Sequence, residues 1–334
     1  LLPSGLGGWA AAAKKARRWL QAMLPDAARR RRFWEKFADR AMAAPPPPDP
    51  DAALQAMARE RPMDRTALGR VTLVGAGPGD AGLLTLKAMR ALQAADVILF
   101  DDLVSADVLD LARREAKRML VGKRGGRCSC RQDDIHALML KLARQGRHVV
   151  RLKSGDPMIF GRAGEEIAML RAAGVAVDVV PGITAAAGAA AALGVSLTHR
   201  DRARSVRFVT GHGRDGDLPA DLDWSGLADP ATTLIVYMGG RTAAGLAGRL
   251  LAAGMPRHTP AVAMSNISRP DQRVQPLSLA ALAEDGIAAS GEPVLIGIGA
   301  VFRDAVVDDR AARVPLAQGG GKPPMAAPHR IAGR

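Results

Sequence analysis

The chain has 334 residues, enough for two or three domains of ordinary size. Hydrophobic residues make up 48% and aromatics only 3%, which predicts a globular protein and argues against recognition of single strands by base stacking. The net charge of +14 predicts anionic partners and leaves nucleic acid, an anionic membrane and a polycarboxylate or phosphate substrate open.

The two cysteines, Cys128 and Cys130, are separated by one residue. A disulfide between them would be strained, and no second Cys or His pair completes a zinc site, so we expect reduced thiols and no metal. No signal peptide is visible, and the longest apolar run, 185–197, is too short to span a bilayer. These features predict a cytoplasmic protein. The start at Leu-Leu-Pro without methionine predicts a fragment or a processed product.

Residues 1–44 are helical in character and very basic, with a second helix expected to start near Pro25-Asp26. Three interpretations remain open: a solvated helical pair held by aromatic residues, nucleic-acid binding through the arginine run 29–32, and an oligomer-forming module. Residues 45–68 form a Pro-rich linker that contains a weak helix at 51–60.

Residues 69–182 alternate between strand and helix patterns, which predicts a mostly parallel sheet with helices on both faces. The strands are expected at 71–74, 97–100, 118–121, 148–152 and 176–180, and the helices at 81–94, 107–116, 132–145 and 164–173. Ligands bind beyond the carboxyl ends of such strands. Nearly every distinctive polar or glycine element falls there: 75–80, Asp101, Lys123, 155–156 and 181–184.

Residues 183–304 predict a second α/β domain with a mixed sheet, and therefore a cleft between the two domains. Strands are expected at 205–210, 232–237, 261–264 and 293–298, a short edge strand at 274–276, and helices from Thr184 and at 242–253. The Gly/Pro/Ala-rich residues 305–334 are expected to be a disordered tail.

The segment V-G-A-G-P-G-D at 74–80 follows the first strand and resembles a nucleotide-binding turn. It fits the dinucleotide pattern G-x-G-x-x-G only loosely, and Pro78 lacks an N–H donor for a pyrophosphate. Asp101 nevertheless lies about twenty residues further on, as a ribose-binding acid would. An NAD(P)-dependent oxidoreductase is therefore one interpretation.

A set of ordered motifs resembles the tetrapyrrole methylases over about residues 69–304. These are V-G-A-G-P-G-D-A-G-L-L-T-L-K (74–87), D-x-L-V-S (101–105), V-G-K-R (121–124), R-L-K-x-G-D-P-x-I-F-G-R (151–162), E-E (165–166), V-V-P-G-I-T-A (179–185), L-T-H-R-D (197–201), V-T-G-H (209–212) and Y-M-G (237–239). Within the family the set is most similar to the uroporphyrinogen-III C-methyltransferases. Residues 1–60, with R-R-R-F-W-E-K-F at 30–37, resemble the helical dimerisation segment of siroheme synthases, without the NAD-binding domain that precedes it there.

The resemblance implies a two-domain fold and two methyl transfers from S-adenosylmethionine to carbons 2 and 7 of uroporphyrinogen III. The products would be precorrin-2, for siroheme or cobalamin biosynthesis, and S-adenosylhomocysteine. The basic charge suits a polycarboxylate substrate. The implied assembly is a homodimer, with neither a membrane nor nucleic acid as partner.

The resemblance also implies roles for individual residues. Asp101 matches the proposed proton acceptor and Lys123 the proposed proton donor. The positions that match S-adenosylmethionine contacts are Pro78, Ser154, Gly155, Asp156, Ile159, Thr184, Ala185, Met238 and Ile267. Ser154 and Ile267 stand where the family usually has glycine, so a side chain there could crowd the cofactor.

Each role has a plainer alternative. Asp101 could be a helix N-cap, Lys123 an exposed lysine and 155–157 a β-turn. We expect His199 and His212 to be structural rather than proton carriers. Two further functions also remain: a related methylase acting on a later corrin or on ribosomal RNA, and a catalytically weakened protein that only binds or assembles.

Overall fold

The computed structural model describes residues 5–59, 68–122, 131–213, 215–287 and 291–305. Helices are α1 Leu6–Met23, α2 Ala27–Ala43, α3 Pro50–Arg59, α4 Leu86–Ala94, α5 Ala106–Asp110, α6 Gln132–Arg144, α7 Ala163–Ala172, α8 Ala185–Leu193, α9 Trp224–Leu227, α10 Ala243–Ala252 and α11 Leu279–Asp285. Strands are β1 Arg70–Gly75, β2 Val97–Phe100, β3 Lys117–Leu120, β4 His148–Lys153, β5 Ala176–Val180, β6 Ser205–Thr210, β7 Thr232–Tyr237, β8 Pro260–Ser265, β9 Arg273–Ser278 and β10 Val294–Ile298. The described residues do not include Lys123 or the two cysteines. Of the predicted tail, they include residue 305 alone.

The first sheet has the strand order β3-β2-β4-β1-β5, and every neighbouring pair is parallel. Strands β1 and β4 are buried along nearly their whole length because helices cover both faces of the sheet. Helices α4 and α5 pack on one face, and α6 and α7 pack on the other. The predicted parallel sheet with helices on both faces is confirmed.

The second sheet has the order β6-β7-β10-β8-β9 and is mixed, because β6 pairs with β7 in parallel while the other pairs are antiparallel. Helix α8 packs on one face, and α9, α10 and α11 cover the other. Strand β9 lies at the edge, as predicted, and the edge tolerates Pro276, which has no N–H to donate to a ladder. Helices α9 and α11 are short and were not predicted.

The predicted continuous helix at 81–94 is wrong. The chain forms a 3₁₀ turn at Ala81–Leu83, Leu84 is extended, and α4 begins only after Thr85. The side chain of Asp80 accepts a hydrogen bond from Gly82 N–H, and the Thr85 hydroxyl accepts one from Ala88 N–H. Two capping side chains five residues apart therefore start two helical elements in place of one.

The three N-terminal helices share an aromatic-rich core. Trp9 and Phe33 are buried, and Trp9 Nε1 donates to the carbonyl of Ala44 at 2.9 Å. Edge-to-face contacts join Trp9 to Phe37 and Phe33 to Trp34, with ring centroids 5.6 and 5.2 Å apart. The predicted helical pair is confirmed, and α3 adds a third helix within the predicted linker.

Asp96 joins these helices to the first sheet at the amino end of β2. Its carboxylate accepts hydrogen bonds from Arg31 of α2, from Arg113 at 3.4 Å and from the backbone N–H of His148 at 2.9 Å. The Asp96 side chain is only 12% exposed, so this junction is mostly shielded from water.

Among the described helices, none is long and apolar enough to cross a membrane.

Candidate active site

The carboxyl ends of the parallel strands bring most of the predicted residues to one edge of the first sheet. Strand β1 leads into residues 75–80 (hereafter the glycine loop), β2 into Asp101, β4 into residues 154–156, and β5 into residues 181–184. Lys123 follows β3 but lies outside the described residues. The structure thus confirms that the strand-end residues converge, apart from Lys123, whose position it does not describe.

The glycine loop is tied to the turn after β4 by backbone hydrogen bonds. Gly77 and Gly155 exchange two hydrogen bonds, at 2.7 and 3.2 Å, and Ala76 N–H donates to the carbonyl of Lys153 at 2.8 Å. Asp80 N–H donates to the hydroxyl of Ser268 at 3.0 Å. Because these N–H groups are already engaged and Pro78 has none, few donors remain for a pyrophosphate.

Glycines are required where three backbone segments meet. A Cβ on Gly75 would lie 2.5 Å from the backbone nitrogen of Gly182, and a Cβ on Gly182 would lie 2.2 Å from the carbonyl oxygen of Gly155. Gly155 itself has φ of 65°, a left-handed conformation that favours glycine. A Cβ on Gly155 would meet only Ala185 N at 3.8 Å and Thr184 Cα at 3.9 Å. The space beside Gly155 therefore borders the backbone of Thr184 and Ala185.

Asp156 holds this turn in shape. Its Oδ1 accepts a hydrogen bond from Met158 N–H at 2.8 Å, and its Oδ2 accepts one from Gly182 N–H at 2.9 Å. The first bond is an Asx-type turn, and Ile159 N–H donates to the carbonyl of Asp156 at 3.3 Å, so a β-turn spans residues 156–159, slightly later than the predicted 155–157. Each oxygen retains a lone pair, and Asp156 can therefore hold the turn and still accept from an amine.

Tyr237, at the end of β7, links the second sheet to this edge. Its hydroxyl lies 2.6 Å from Thr184 Oγ1 and accepts a hydrogen bond from Ala186 N–H at 3.3 Å, and its ring packs against Phe160 with centroids 5.0 Å apart. Tyr237 thereby caps the start of α8, where the Thr184 side chain makes no capping bond. Thr184 and Ala185 are held by a side chain from the opposite sheet.

Backbone strain concentrates around the same place. The non-glycine residues with positive φ in the described part of the chain are Phe160, Arg162, Met238, Asn266 and Ser268. All of them follow the carboxyl ends of β4, β7 or β8. Such conformations cost free energy and cluster at functional sites. Met238, at φ of 57°, is also 50% exposed, which is unusual for a methionine that follows a buried strand.

Residues 266–269, which we name the clasp segment, connect the second sheet to two loops of the first. The Ser268 hydroxyl accepts from Asp80 N–H, and the Arg269 guanidinium donates to the carbonyl of Leu103. The Ser105 hydroxyl donates to the carbonyl of Gly79 at 2.6 Å and so ties those two loops together. Ile267 is 6% exposed and packs in the apolar cluster that contains α8. Its side chain therefore contributes to the core on which Pro78 and Gly188 pack.

Asp101 lies directly after β2 with its side chain 27% exposed. Arg151 donates to Asp101 Oδ1 at 2.6 Å, and Arg151 is itself only 3% exposed. Asp101 is therefore a partly accessible carboxylate whose orientation is set by a buried guanidinium. It precedes α5 by several residues, and Ser105 occupies the N-cap position of that helix, so the N-cap alternative for Asp101 is wrong.

Arg151 belongs to a buried charge cluster that consists of Asp101, Arg151, Lys153 and Glu166. Glu166 Oε1 accepts from Arg151 Nε at 3.3 Å, from Lys153 Nζ at 3.0 Å and from Gln132 at 3.1 Å. Burial lowers the pKa of Lys153 below its ordinary value, and the charge of Arg151 lowers it further against the opposing effect of Glu166. Sequence reasoning assigned no role to the members of this cluster other than Asp101. The available signal was R-L-K within a buried strand, because buried cations require partners.

The two histidines make local contacts. His199 Nδ1 lies 3.1 Å from Asp201 N–H, and His212 N–H donates to Thr210 Oγ1 at 3.2 Å. The absence of a proton-transfer role for either histidine stays a prediction.

Tyr237 is the only tyrosine of the chain, so its titration can be followed directly. Burial raises the pKa of Tyr237 above its ordinary value, and the hydrogen bonds with Thr184 and Ala186 oppose this rise. We expect tyrosinate absorbance to appear at higher pH in the native protein than in denaturant. The associated stability is fully present below the unfolded pKa and is lost as the pH rises through the folded one. Thr184→Val should raise the native midpoint further, and a native midpoint at or below the denatured one would contradict the burial of this hydroxyl.

Comparison with known proteins gives the family. A profile described as Tetrapyrrole (Corrin/Porphyrin) Methylases matches residues 70–283, and one described as Sirohaem synthase dimerisation region matches residues 5–59. The siroheme synthase of Actinobacillus pleuropneumoniae serotype 7 (strain AP76) is 46% identical over 306 residues, which cover 91% of this chain and 62% of that protein. Siroheme synthase 1 of Pectobacterium atrosepticum is 46% identical over 310 residues, 90% of this chain and 64% of that protein. The chain thus spans less than two thirds of these curated relatives.

Solved structures of similar fold indicate the same family. A uroporphyrin-III C-methyl transferase from Thermus thermophilus complexed with S-adenyl homocysteine is 42% identical with a TM-score of 0.61, and the match covers 70% of this chain and 99% of that one. A cobalt precorrin-4 methyltransferase is 29% identical with a TM-score of 0.61, over 69% of this chain and 94% of that one. The matched profile, the two-sheet fold and the strand-end motifs lead to one conclusion: this chain belongs to the tetrapyrrole methylases.

Proposed function

We propose that this chain transfers methyl groups from S-adenosylmethionine to carbons 2 and 7 of uroporphyrinogen III and so forms precorrin-2 for siroheme or cobalamin biosynthesis. The observation that carries the proposal is the arrangement at the carboxyl edge of the first sheet. There the partly exposed carboxylate of Asp101 shares one edge with the open backbone surface of Gly155, Thr184 and Ala185. The 42% identity to the Thermus enzyme supports the assignment of substrate and cofactor.

The residues at this edge fit S-adenosylmethionine better than a dinucleotide. The glycine loop has few free N–H groups, which disfavours a pyrophosphate, whereas S-adenosylmethionine carries no phosphate. The space that a Cβ on Gly155 would enter is open, and main-chain atoms border it. We propose that Pro78, Gly155, Thr184, Ala185 and Met238 line the cofactor site. The other residues that we propose for the cofactor site are Ser154, Asp156, Ile159 and the backbone of Ile267.

When bound, S-adenosylmethionine supplies an electrophilic methyl group. The chain's main contribution is alignment, because holding two reactants in line is worth roughly 7–11 kcal/mol in well-oriented systems. Carbon methylation of an electron-rich ring must be followed by loss of a ring proton. We propose that Asp101 accepts that proton, since it is a partly exposed carboxylate at a strand end and is oriented by Arg151. Lys123 is proposed as the proton donor from its sequence position alone.

The basic charge of the chain suits the substrate, since uroporphyrinogen III is a polycarboxylate and a net charge of +14 favours its approach. We further propose that the chain forms a homodimer through α1–α3, on the support of the profile that matches residues 5–59. The cytoplasmic location and the absence of a nucleic-acid partner stay predictions.

The function is tested by incubating the protein with uroporphyrinogen III and S-adenosylmethionine and following the products by mass. We expect a monomethylated product followed by a dimethylated one. A methylated product from a later corrin alone would redirect the proposal to another member of the family. Calorimetry should show saturable binding of S-adenosylhomocysteine, and saturable binding of NAD in its place would overturn the methylase proposal.

A further inference from the structure

The buried charge cluster lies directly beneath Asp101, and its polar contacts to Glu166 all converge on Oε1, while the buried Oε2 of Glu166 has no hydrogen-bond partner among the described residues. Two cations, Arg151 and Lys153, face two carboxylates, Asp101 and Glu166, so the cluster is electrically balanced. Glu166 has no exposed surface, and Arg151 and Lys153 are 3% and 7% exposed at the side chain. Only Asp101 reaches the strand-end edge. The cluster thus runs from a fully buried carboxylate to the proposed site of chemistry.

Arg151 makes contacts through each of its guanidinium nitrogens. Nε donates to Glu166, one terminal nitrogen donates to Asp101, and the other lies 3.4 and 3.3 Å from the carbonyl oxygens of Leu99 and Leu152. A planar guanidinium bound on all sides has one orientation. Among the described residues, Glu166 is the charged partner of the Nε side of Arg151, and Asp101 is the charged partner of a terminal nitrogen. Removing the charge of Glu166 would weaken the hold on the Nε side of Arg151, so the guanidinium could shift relative to Asp101.

The cluster is a costly way to stabilise a fold. Desolvating several charges usually costs as much as their attraction returns, and apolar residues of similar volume often serve as well. Three donors converge on one oxygen of Glu166, from β4 and from Gln132 at the start of α6. This convergence fixes α6, α7 and β4 relative to Asp101. A role in orienting Asp101 accounts for the presence of charges at this depth.

We propose that Glu166 is a positioning residue for the methyl transfer. It holds Arg151 so that the guanidinium keeps the Asp101 carboxylate aimed at the strand-end edge. Glu166 touches neither substrate nor cofactor and acts only through Arg151. The proposal rests on the proposed function, because it assigns Glu166 to the reaction in which Asp101 accepts a proton.

Glu166→Gln is the first test, with kcat and the cofactor KM measured under saturating uroporphyrinogen III. We expect kcat to fall about a hundredfold, as for a catalytic group displaced by roughly 1 Å. Affinity for S-adenosylhomocysteine by calorimetry should stay within about twofold, since Glu166 does not line the cofactor site. Loss of cofactor binding in parallel with kcat would instead show general damage to the fold and overturn the proposal.

A second variant tests whether the loss of kcat comes only from an unbalanced buried charge. Glu166→Gln leaves two cations facing one carboxylate, whereas Glu166→Gln/Lys153→Met leaves Arg151 facing Asp101 and restores the balance. We expect the double variant to fold and still to show the loss of kcat, because the neutral amide of Gln accepts a weaker hydrogen bond from Arg151 than the carboxylate of Glu166 does. Recovery of wild-type kcat would show that Glu166 only neutralised charge, and the positioning role would be wrong.

Coupling to Asp101 gives the sharpest readout. If Glu166 acts through Asp101, Glu166→Gln should lower kcat in the wild type but add little in an Asp101→Asn background. Full additivity would refute the proposal. Asp96→Asn is the matched control, since Asp96 is another shielded carboxylate in a cluster with arginines, but at the opposite edge of the sheet. It should lower thermal stability without lowering kcat.

The two proposals fail in different ways. A wild-type protein that binds S-adenosylhomocysteine but methylates no tetrapyrrole would refute the proposed function and the role of Glu166 with it. An active wild type whose Glu166→Gln and double variants keep full kcat would refute only the positioning role.

Discussion

Asp101→Asn is expected to slow methyl transfer by orders of magnitude while leaving the affinity for S-adenosylhomocysteine unchanged. The amide keeps the shape of the carboxylate but cannot accept the ring proton, and a positioned general base contributes about 10²–10⁴-fold to a rate. Single-turnover assays should therefore show the rate constant of methyl transfer lowered by about that factor. Calorimetry should show cofactor binding within about twofold of wild type, because none of the proposed cofactor residues is altered.

Asp102→Asn is the matched control for this prediction. It makes the same chemical change one residue further on, at a side chain to which no role in the reaction is assigned. We expect its kcat to stay within about twofold of wild type. Equal losses in the two variants would point to the net charge of the loop, and wild-type turnover in Asp101→Asn would remove Asp101 from proton transfer.

Gly182→Ala is expected to cause the largest loss of stability. The new Cβ would lie 2.2 Å from the carbonyl oxygen of Gly155 and 2.8 Å from Cα of Gly75, and both are backbone atoms that cannot turn aside. Overpacking of this kind costs about 3 kcal/mol. Thermal unfolding should show Tm lowered by about 6–12 °C. Because the turn at Gly155 must shift, affinity for S-adenosylhomocysteine should fall at least about tenfold.

Gly164→Ala is the control for Gly182→Ala, because it adds the same methyl group where there is no crowding. Gly164 lies in α7, and a Cβ there would meet nothing within 4 Å. Alanine is the better helix former, so Tm should stay the same or rise slightly. A stable Gly182→Ala variant with normal cofactor affinity would show that the three backbone segments can separate at little cost.

The fold could be predicted from sequence where strands and helices alternate with clear punctuation. Strands β2, β5, β6 and β7 begin and end at the predicted residues, because a short β-branched run bounded by polar or glycine residues specifies each of them. Local capping was harder to predict from the sequence. The break between the 3₁₀ turn and α4 depends on the hydroxyl of Thr85, which hydrophobic periodicity does not register.

The candidate site could be predicted as far as its backbone positions, because parallel strands place their carboxyl ends at one edge whatever the side chains do. The ion pairs could not be predicted from the sequence. Arg151 contacts Asp101 and Glu166 across 50 and 15 residues of chain, and no spacing rule connects them. The link between Tyr237 and Thr184 likewise depends on how the two sheets meet, which is a property of the packed molecule.

The clasp segment has a consequence for folding cooperativity. It anchors the glycine loop through Ser268 and the loop after β2 through Arg269, although it follows a strand of the other sheet. The free energy of these contacts is gained only when both sheets are formed, so neither half carries its full stability alone. The two sheets therefore stabilise each other, and the loops that carry Pro78 and Asp101 are completed only once residues 188 and 166 positions later in the chain have folded.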